Sequence, residues 1–129
     1  MEWTTELRYK RYEDWTEEEK KQIKEKMAKS PWHTHYHVEP TSGLLNDPNG
    51  FSYFDGKWIL FYQNFPFGAA HGLKSWVQLE SDDLVHFNET GVKVFPDTPL
   101  DSHGAYSGSA MQFDDKLFLF YTGNVRDEN

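Results

Sequence analysis

The chain contains no cysteine, and that absence removes disulfides, thiolate nucleophiles and cysteine-based zinc sites together. Basic charge is also scarce: 13 Lys and Arg stand against 21 Asp and Glu, a formal net charge of −8. A chain of that sign repels nucleic acid and anionic membranes, both of which are bound through basic patches. The one lysine-rich stretch, Lys20 to Lys29, is preceded by or interleaved with Glu17, Glu18, Glu19 and Glu25. No uninterrupted apolar run reaches the length of about 18 residues that a membrane span requires, and Met1 to Glu6 lacks the apolar core of a secretory signal. The expectation is a cytoplasmic protein with neither a nucleic-acid nor a membrane partner.

What the chain has in quantity is aromatic: five Trp, seven Tyr and ten Phe in 129 residues. Aromatics favour strands and also form surfaces on which sugars stack, so the count alone does not choose between core and site. The length suits one small domain or part of a larger one.

Two textures divide the sequence. In residues 1–35, Thr16-Glu17-Glu18-Glu19 has the form of a capping box, with Thr16 as N-cap and Glu19 reaching back. The short helix that follows carries Ile23 and Met27 on one face and is closed by Ser30-Pro31. This lead-in carries no evident chemistry. Residues 36–129 read as short β-type runs: 51–54 and 58–63 around Asp55-Gly56, then 75–80, 92–95, and a second hairpin, 105–113 and 116–122, across Asp114-Asp115.

The two hairpins are copies. Phe54-Asp55-Gly56-Lys57-Trp58-Ile59-Leu60-Phe61-Tyr62 matches Phe113-Asp114-Asp115-Lys116-Leu117-Phe118-Leu119-Phe120-Tyr121 at an offset of 113 − 54 = 59 residues. A repeat of that length with about four short strands is the signature of a β-propeller blade. The second copy runs only two strands before Asn129, so the expectation is an all-β fragment holding one blade and the inner half of the next. Its unpaired edges and apolar residues such as Phe118 and Phe120 predict poor solubility or a molten state in isolation.

Leu44-Leu45-Asn46-Asp47-Pro48-Asn49-Gly50 reads as a polar turn between hydrophobic runs, since Asp-Pro and Asn-Gly are both turn dipeptides. In a propeller, however, the innermost strands converge on one channel. Asp47 with its flanking amides and Tyr106-Ser107-Gly108-Ser109-Ala110 in the second copy would then share a cavity suited to a polyol. His33, His35 and His37 alternate as metal ligands on a strand might be arranged, but Pro31 and Pro40 around them point to an irregular entry loop. No metal is expected there, and His37 is expected to pack against the first blade.

Asn46-Asp47-Pro48-Asn49-Gly50, Leu60-Phe61-Tyr62-Gln63, Asp83-Leu84-Val85-His86-Phe87 and Tyr106-Ser107-Gly108-Ser109-Ala110 resemble, in order, the motifs of glycoside hydrolase family 32. The resemblance implies a five-bladed propeller followed by a β-sandwich. It also implies retaining hydrolysis of terminal β-fructofuranosides, such as sucrose or sucrose-6-phosphate, without a cofactor. Asp47 matches the nucleophile; Asn46, Gln63, Tyr106 and Ser107 match residues that bind the fructosyl unit. Leu44 and Leu45 stand where the family usually has Trp-Met or Trp-Leu, His71 where a wall Trp is common, and Trp76-Val77-Gln78 where Trp-Gly-His is frequent; Leu44, Leu45, His71 and Trp76 are expected to border the substrate.

The family's Arg-Asp-Pro and Glu-Cys motifs, the latter supplying the acid/base, are not matched. Arg126-Asp127 is followed by Glu128 rather than proline and reads as a loop pair. Alone, these residues are therefore expected to hydrolyse nothing. Lys74 is the one cation placed to meet a phosphate. A non-catalytic sugar-binding propeller, an arabinan- or xylan-cleaving relative, and fructosyl transfer to a sugar acceptor are the alternatives.

Overall fold

The computed structural model describes residues 2–127. Helix α1, Thr5–Arg8, starts where the Thr4 side chain accepts the Leu7 N–H. A 3₁₀ turn, Tyr12–Asp14, leads to α2, Glu17–Ala28. The capping box forms: Thr16 Oγ1 accepts the Glu19 N–H at 3.2 Å, and Glu19 Oε2 accepts the Thr16 N–H at 2.8 Å. Two donors that a helix start leaves orphaned are thereby satisfied.

No residue of α2 is buried; its grip on the sheet comes from a narrow stripe and from the residue before the cap. Trp15 stacks on Phe67 with ring centroids 4.3 Å apart and planes 5° from parallel. Trp3, Leu7, Tyr12, Ile23 and Leu44 pack around Trp15, Phe65 and Phe67. The Tyr12 hydroxyl donates to the Leu73 carbonyl at 3.0 Å, and burial drives its pKa far upward. The helical lead-in thus shares a core with the sheet.

Strands β1 (Leu44–Phe54), β2 (Lys57–Phe65), β3 (Ser75–Ser81) and β4 (Asn88–Val94) form an antiparallel meander in sequence order. Strands β5 (Ala105–Phe113) and β6 (Lys116–Gly123) form a separate two-stranded hairpin. The β1–β2 turn uses Asp55 at φ 50° and Gly56 at φ 77°, the left-handed pair that a tight hairpin requires. Strand β4 begins earlier than the expected start at Val92: Gly91 lies inside it, between ladder irregularities, and does not mark its boundary.

Strand β2 is covered on both sides. Ile59 and Phe61 meet Trp76 and Ala105 in the layer facing the hairpin, with Leu117 and Leu119 against them. Tyr62 on the opposite side packs with Val77 and Leu79. The Ala105 N–H donates to the Lys74 carbonyl at 2.9 Å, tying the start of β5 to the start of β3, and β5 packs beside β1.

Residues 31–43 form no strand, so the three alternating histidines share no face. His33 bonds Glu39 Oε2 at 2.8 Å and the Met27 carbonyl at 3.0 Å, and the Glu39 carboxylate raises its pKa. His37 is exposed against Tyr36, a correction to its expected packing at the sheet. Among the described residues there is no cluster of three metal-ligating side chains, and no helix is long and apolar enough to cross a membrane.

Candidate functional site

The segment expected to be a turn is a bulged strand. In the β1–β2 ladder Asn46 pairs with Gln63 and Pro48 with Tyr62, which leaves Asp47 as the extra residue. Pro48 has no N–H to give to a ladder, and Asp47 adopts φ 40°, a left-handed conformation that aspartate tolerates better than most residues. Asn49 Nδ2 donates to the Asp47 carbonyl at 2.9 Å, inside the bulge.

The bulge has a direct consequence. Consecutive residues of a regular strand face opposite ways, yet Asn46 and Asp47 line the same cleft. The same device recurs on β5: Tyr106 pairs with Thr122 and Gly108 with Tyr121, so Ser107 is the extra residue, and Tyr106 and Ser107 both line that cleft. Gly108 is required at this point, because a Cβ there would lie 1.8 Å from the Phe120 carbonyl oxygen. Two bulges, one per repeat, thus turn two consecutive side chains each toward one space.

That space measures about 470 Å³ and is lined by Asn46, Asp47, Gln63, His71, Lys74, Tyr106, Ser107 and Thr122. Ser107 Oγ donates to Asp47 Oδ2 at 2.8 Å. Gln63 Nε2 donates to the same oxygen at 3.4 Å and also to Ser107 Oγ. Asn46 Nδ2 donates to Gln63 Oε1 at 3.1 Å, and Lys74 Nζ donates to Asn46 Oδ1 at 2.5 Å. The Ser107 hydroxyl, then the Asn46 amide, hold the Asp47 pKa below the usual carboxylate value; Lys74 and His71 add to this and partial burial opposes it. Asp47 is therefore an anion at neutral pH. Lys74 is 2 % exposed, and burial pushes its pKa down to about 8 against the opposing pull of Asp47.

Of the expected site residues, Asn46, Asp47, Gln63, His71, Tyr106 and Ser107 come together in the cleft. Three do not. Trp76 is 0 % exposed; it fills the layer between the sheets and its Nε1 donates to the Tyr106 carbonyl at 3.2 Å. It supports the cleft from behind and does not border it. Leu44 packs on the Trp15–Phe65–Phe67 cluster and Leu45 on the Tyr62–Val77–Leu79 cluster. Here the strand ahead of the bulge keeps its ordinary alternation, which sends the two leucines to opposite cores.

Arg126 sits beside the site. Its guanidinium lies 4.9 Å from the centroid of the Tyr9 ring and donates weakly to the Tyr106 hydroxyl at 3.5 Å. Glu128, the third residue of the loop reading, lies outside the described residues. Thr122 also lines the cleft; the 59-residue offset makes it the counterpart of Gln63, and in the ladders it pairs with Tyr106 as Gln63 pairs with Asn46.

The model of the glycosyl hydrolases family 32 N-terminal domain matches residues 37–129. The sucrose-6-phosphate hydrolase of Streptococcus mutans is 73 % identical over 123 residues, covering 95 % of this chain and 26 % of that protein. The sucrose-6-phosphate hydrolase of Lactococcus lactis is 57 % identical over 129 residues, covering 100 % of this chain and 27 % of that protein. Among solved structures, sucrose-6-phosphate hydrolase from Lactobacillus gasseri superposes with a TM-score of 0.94 at 54 % identity, over 98 % of this chain and 26 % of that one. A variant of the Bombyx mori family 32 beta-fructofuranosidase in complex with sucrose gives a TM-score of 0.70 at 31 % identity, over 89 % of this chain and 25 % of that one. The chain spans about a quarter of the length of these relatives. Over that quarter, fold, motif order and identity agree: the chain belongs to glycosyl hydrolases family 32.

Proposed function

We propose that this chain is the nucleophile-bearing N-terminal part of a retaining β-fructofuranosidase acting on sucrose or sucrose-6-phosphate. Residues 1–35 are its helical lead-in and residues 36–129 the beginning of a five-bladed propeller. The β1–β4 meander is the first blade and the β5–β6 hairpin the inner half of the second. The remaining blades and a β-sandwich belong to sequence outside these residues.

The observation that carries this reading is the convergence of Ser107 and Gln63 on one oxygen, Oδ2, of an ionised Asp47. Their hydrogen bonds hold the carboxylate in one orientation and leave Oδ1 to act. Oδ1 attacks the anomeric C2 of the fructosyl unit as the bond from C2 to the leaving oxygen breaks. That oxygen takes its proton from a carboxylic acid, and the same group, now a base, deprotonates the water that cleaves the fructosyl ester. Retention by this route sets the two carboxyl groups about 5–5.5 Å apart. Asp47 is the only carboxylate lining the cleft among the described residues, so the acid comes from sequence beyond them. Asn46, Gln63 and Tyr106 supply hydrogen-bonding groups to the sugar hydroxyls, with His71 at the rim.

The test is kinetic, in a polypeptide that continues this chain with the rest of the Streptococcus mutans relative. Asp47→Asn is expected to lower kcat/KM on sucrose-6-phosphate on the order of 10⁴-fold or more, as removing a covalent nucleophile does elsewhere. Hydrolysis at the parent rate by the variant overturns the reading. Unchanged sugar affinity in both proteins, with turnover in neither, identifies a sugar-binding protein instead.

A further inference from the structure

The hydrogen bonds of the cleft form a chain with a direction. At one end is Lys74, whose ammonium can only donate; at the other is the Asp47 carboxylate, which can only accept. Between them lie two amides, Asn46 and Gln63, each with a donor end and an acceptor end of nearly equal size. Lys74 Nζ donates to Asn46 Oδ1 at 2.5 Å, which turns Asn46 Nδ2 toward Gln63 Oε1 at 3.1 Å. That contact turns Gln63 Nε2 toward Asp47 Oδ2 at 3.4 Å and toward Ser107 Oγ, and the Ser107 hydroxyl donates in turn to Asp47 Oδ2 at 2.8 Å. Reversing either amide would set carbonyl against carboxylate, or present an N–H to the ammonium.

We propose that Lys74 is a positioning residue for the nucleophile: its buried ammonium fixes the direction of the Lys74–Asn46–Gln63–Asp47 relay, so that the donors of the cleft aim at the carboxylate. This assignment rests on the reading of Asp47 as the working carboxylate and deepens it. It gives Lys74 a different role from that of the candidate phosphate ligand named from the sequence. Lys74 is almost wholly buried, and its ammonium is already given to Asn46. The donors of a flexible surface lysine would exchange with water; in this site burial removes the competitor and makes the choice of acceptor binding.

The groups that line the cleft with Lys74 are Asn46 and Asp47 from β1, Gln63 from β2, His71 from the loop before β3, Tyr106 and Ser107 from β5, and Thr122 from β6. Asp47 is the one anion among them at neutral pH. Loss of the Lys74 proton gives the amine a lone pair that can accept as well as donate, so the relay loses its donor-only end and its compensating charge in a single step.

The test uses the polypeptide that continues this chain with the rest of the Streptococcus mutans relative, and it needs no turnover. Lys74→Met keeps the buried stem and removes the ammonium, whereas Lys74→Arg keeps a cation and donor. The Asp47 carboxyl carbon and the Asn46 and Gln63 side-chain amides are followed by NMR through a pH titration. In Lys74→Met the Asp47 pKa is expected to shift upward and the two amides to lose their single orientation; in Lys74→Arg both are expected to stay near the parent behaviour. In the parent, the amides are expected to lose their order as Lys74 deprotonates, well below the ordinary lysine range. An unmoved Asp47 pKa with ordered amides in Lys74→Met overturns the proposal, as does a parent Lys74 that titrates like a free lysine. Failure of hydrolysis in the extended polypeptide would leave these measurements unaffected, so the two readings fail separately.

Discussion

Strands β2 and β6 carry the same repeat and meet different fates. Phe61 is 1 % exposed and its counterpart Phe120 53 %; Tyr62 is 1 % exposed and Tyr121 39 %; Ile59 is 5 % exposed and Phe118 42 %. The difference lies outside the repeat. β2 pairs with β3 on one edge and β1 on the other, whereas β6, among the described residues, pairs with β5 alone. An aromatic strand specifies that something will cover it, and the neighbouring strand decides whether it is covered. What the two copies share is the bulge at the head of the preceding strand, at Asp47 and at Ser107. The repeat thus conserves its site-building element while its packing differs.

Substitutions on β2 and β6 test that difference, beginning with the phenylalanines. Phe61→Ala is expected to cost about 3–5 kcal/mol of unfolding free energy, the range for a core phenylalanine. In the 129 residues taken alone, where β6 has no further strand beside it among the described residues, Phe120→Ala is expected to stay within about 0.5 kcal/mol, as at an ordinary surface position. Denaturant titration of both variants gives the contrast, and equal losses would mean that β6 is covered in solution.

The tyrosines reverse the order. Tyr121 donates to Asp101 Oδ2 at 2.7 Å, and Asp101 is fully buried; Tyr62 donates to Glu89 at 3.0 Å, and Glu89 is exposed. Tyr121→Phe leaves a buried carboxylate short of a donor and is expected to cost about 1.5–3 kcal/mol, against about 1 kcal/mol for Tyr62→Phe. Melting curves of the pair decide which strand has the costlier hydroxyl.

The same hydrogen bond sets a pH response. Burial pushes the Asp101 pKa up, but the donors Tyr121 and Thr98 outweigh it and leave the pKa below its ordinary value. Its contribution is present above that ordinary value and is lost as pH falls through the folded one. The bond to Asp101, then burial, raise Tyr121 from 10.0 to about 12, so its contribution is full below pH 10.0 and lost as pH rises toward about 12. Tyr121→Phe is expected to flatten the alkaline loss in a series of melts, and an unchanged alkaline slope would remove Tyr121 from the account.

The smallest effect concerns the turns. Gly56 stands where the second copy has Asp115, and a Cβ on Gly56 would meet nothing within 4 Å. Gly56→Asp is therefore expected to cost only the backbone term, about 1 kcal/mol. A much larger loss of stability would mean that the first turn bears on the core.

Most of the fold was legible in the sequence because its signals are local. The Thr16 capping box, the Asp55-Gly56 hairpin and the strand pairs were readable from turn chemistry and the repeat. The bulge was not. Asp-Pro and Asn-Gly signal turns wherever they occur, and only the pairing of β1 with β2 shows that Asn46 to Gly50 remains in a strand. The same gap misplaced Leu44, Leu45 and Trp76: their positions border the motif in sequence, but side-chain direction follows from register, and register is a tertiary fact. The charge of Lys74 is visible in the sequence; its inward commitment to Asn46 depends on burial, which one-dimensional spacing does not contain.

The most direct test of the account is to catch the covalent intermediate. The polypeptide that continues this chain with the rest of the Streptococcus mutans relative is quenched during turnover of sucrose-6-phosphate and digested, and its peptides are weighed. One fructosyl unit is expected on the peptide containing Asp47, and none on that peptide of the Asp47→Asn protein. Steady turnover with the fructosyl unit on another carboxylate, or undiminished turnover by Asp47→Asn, would contradict it.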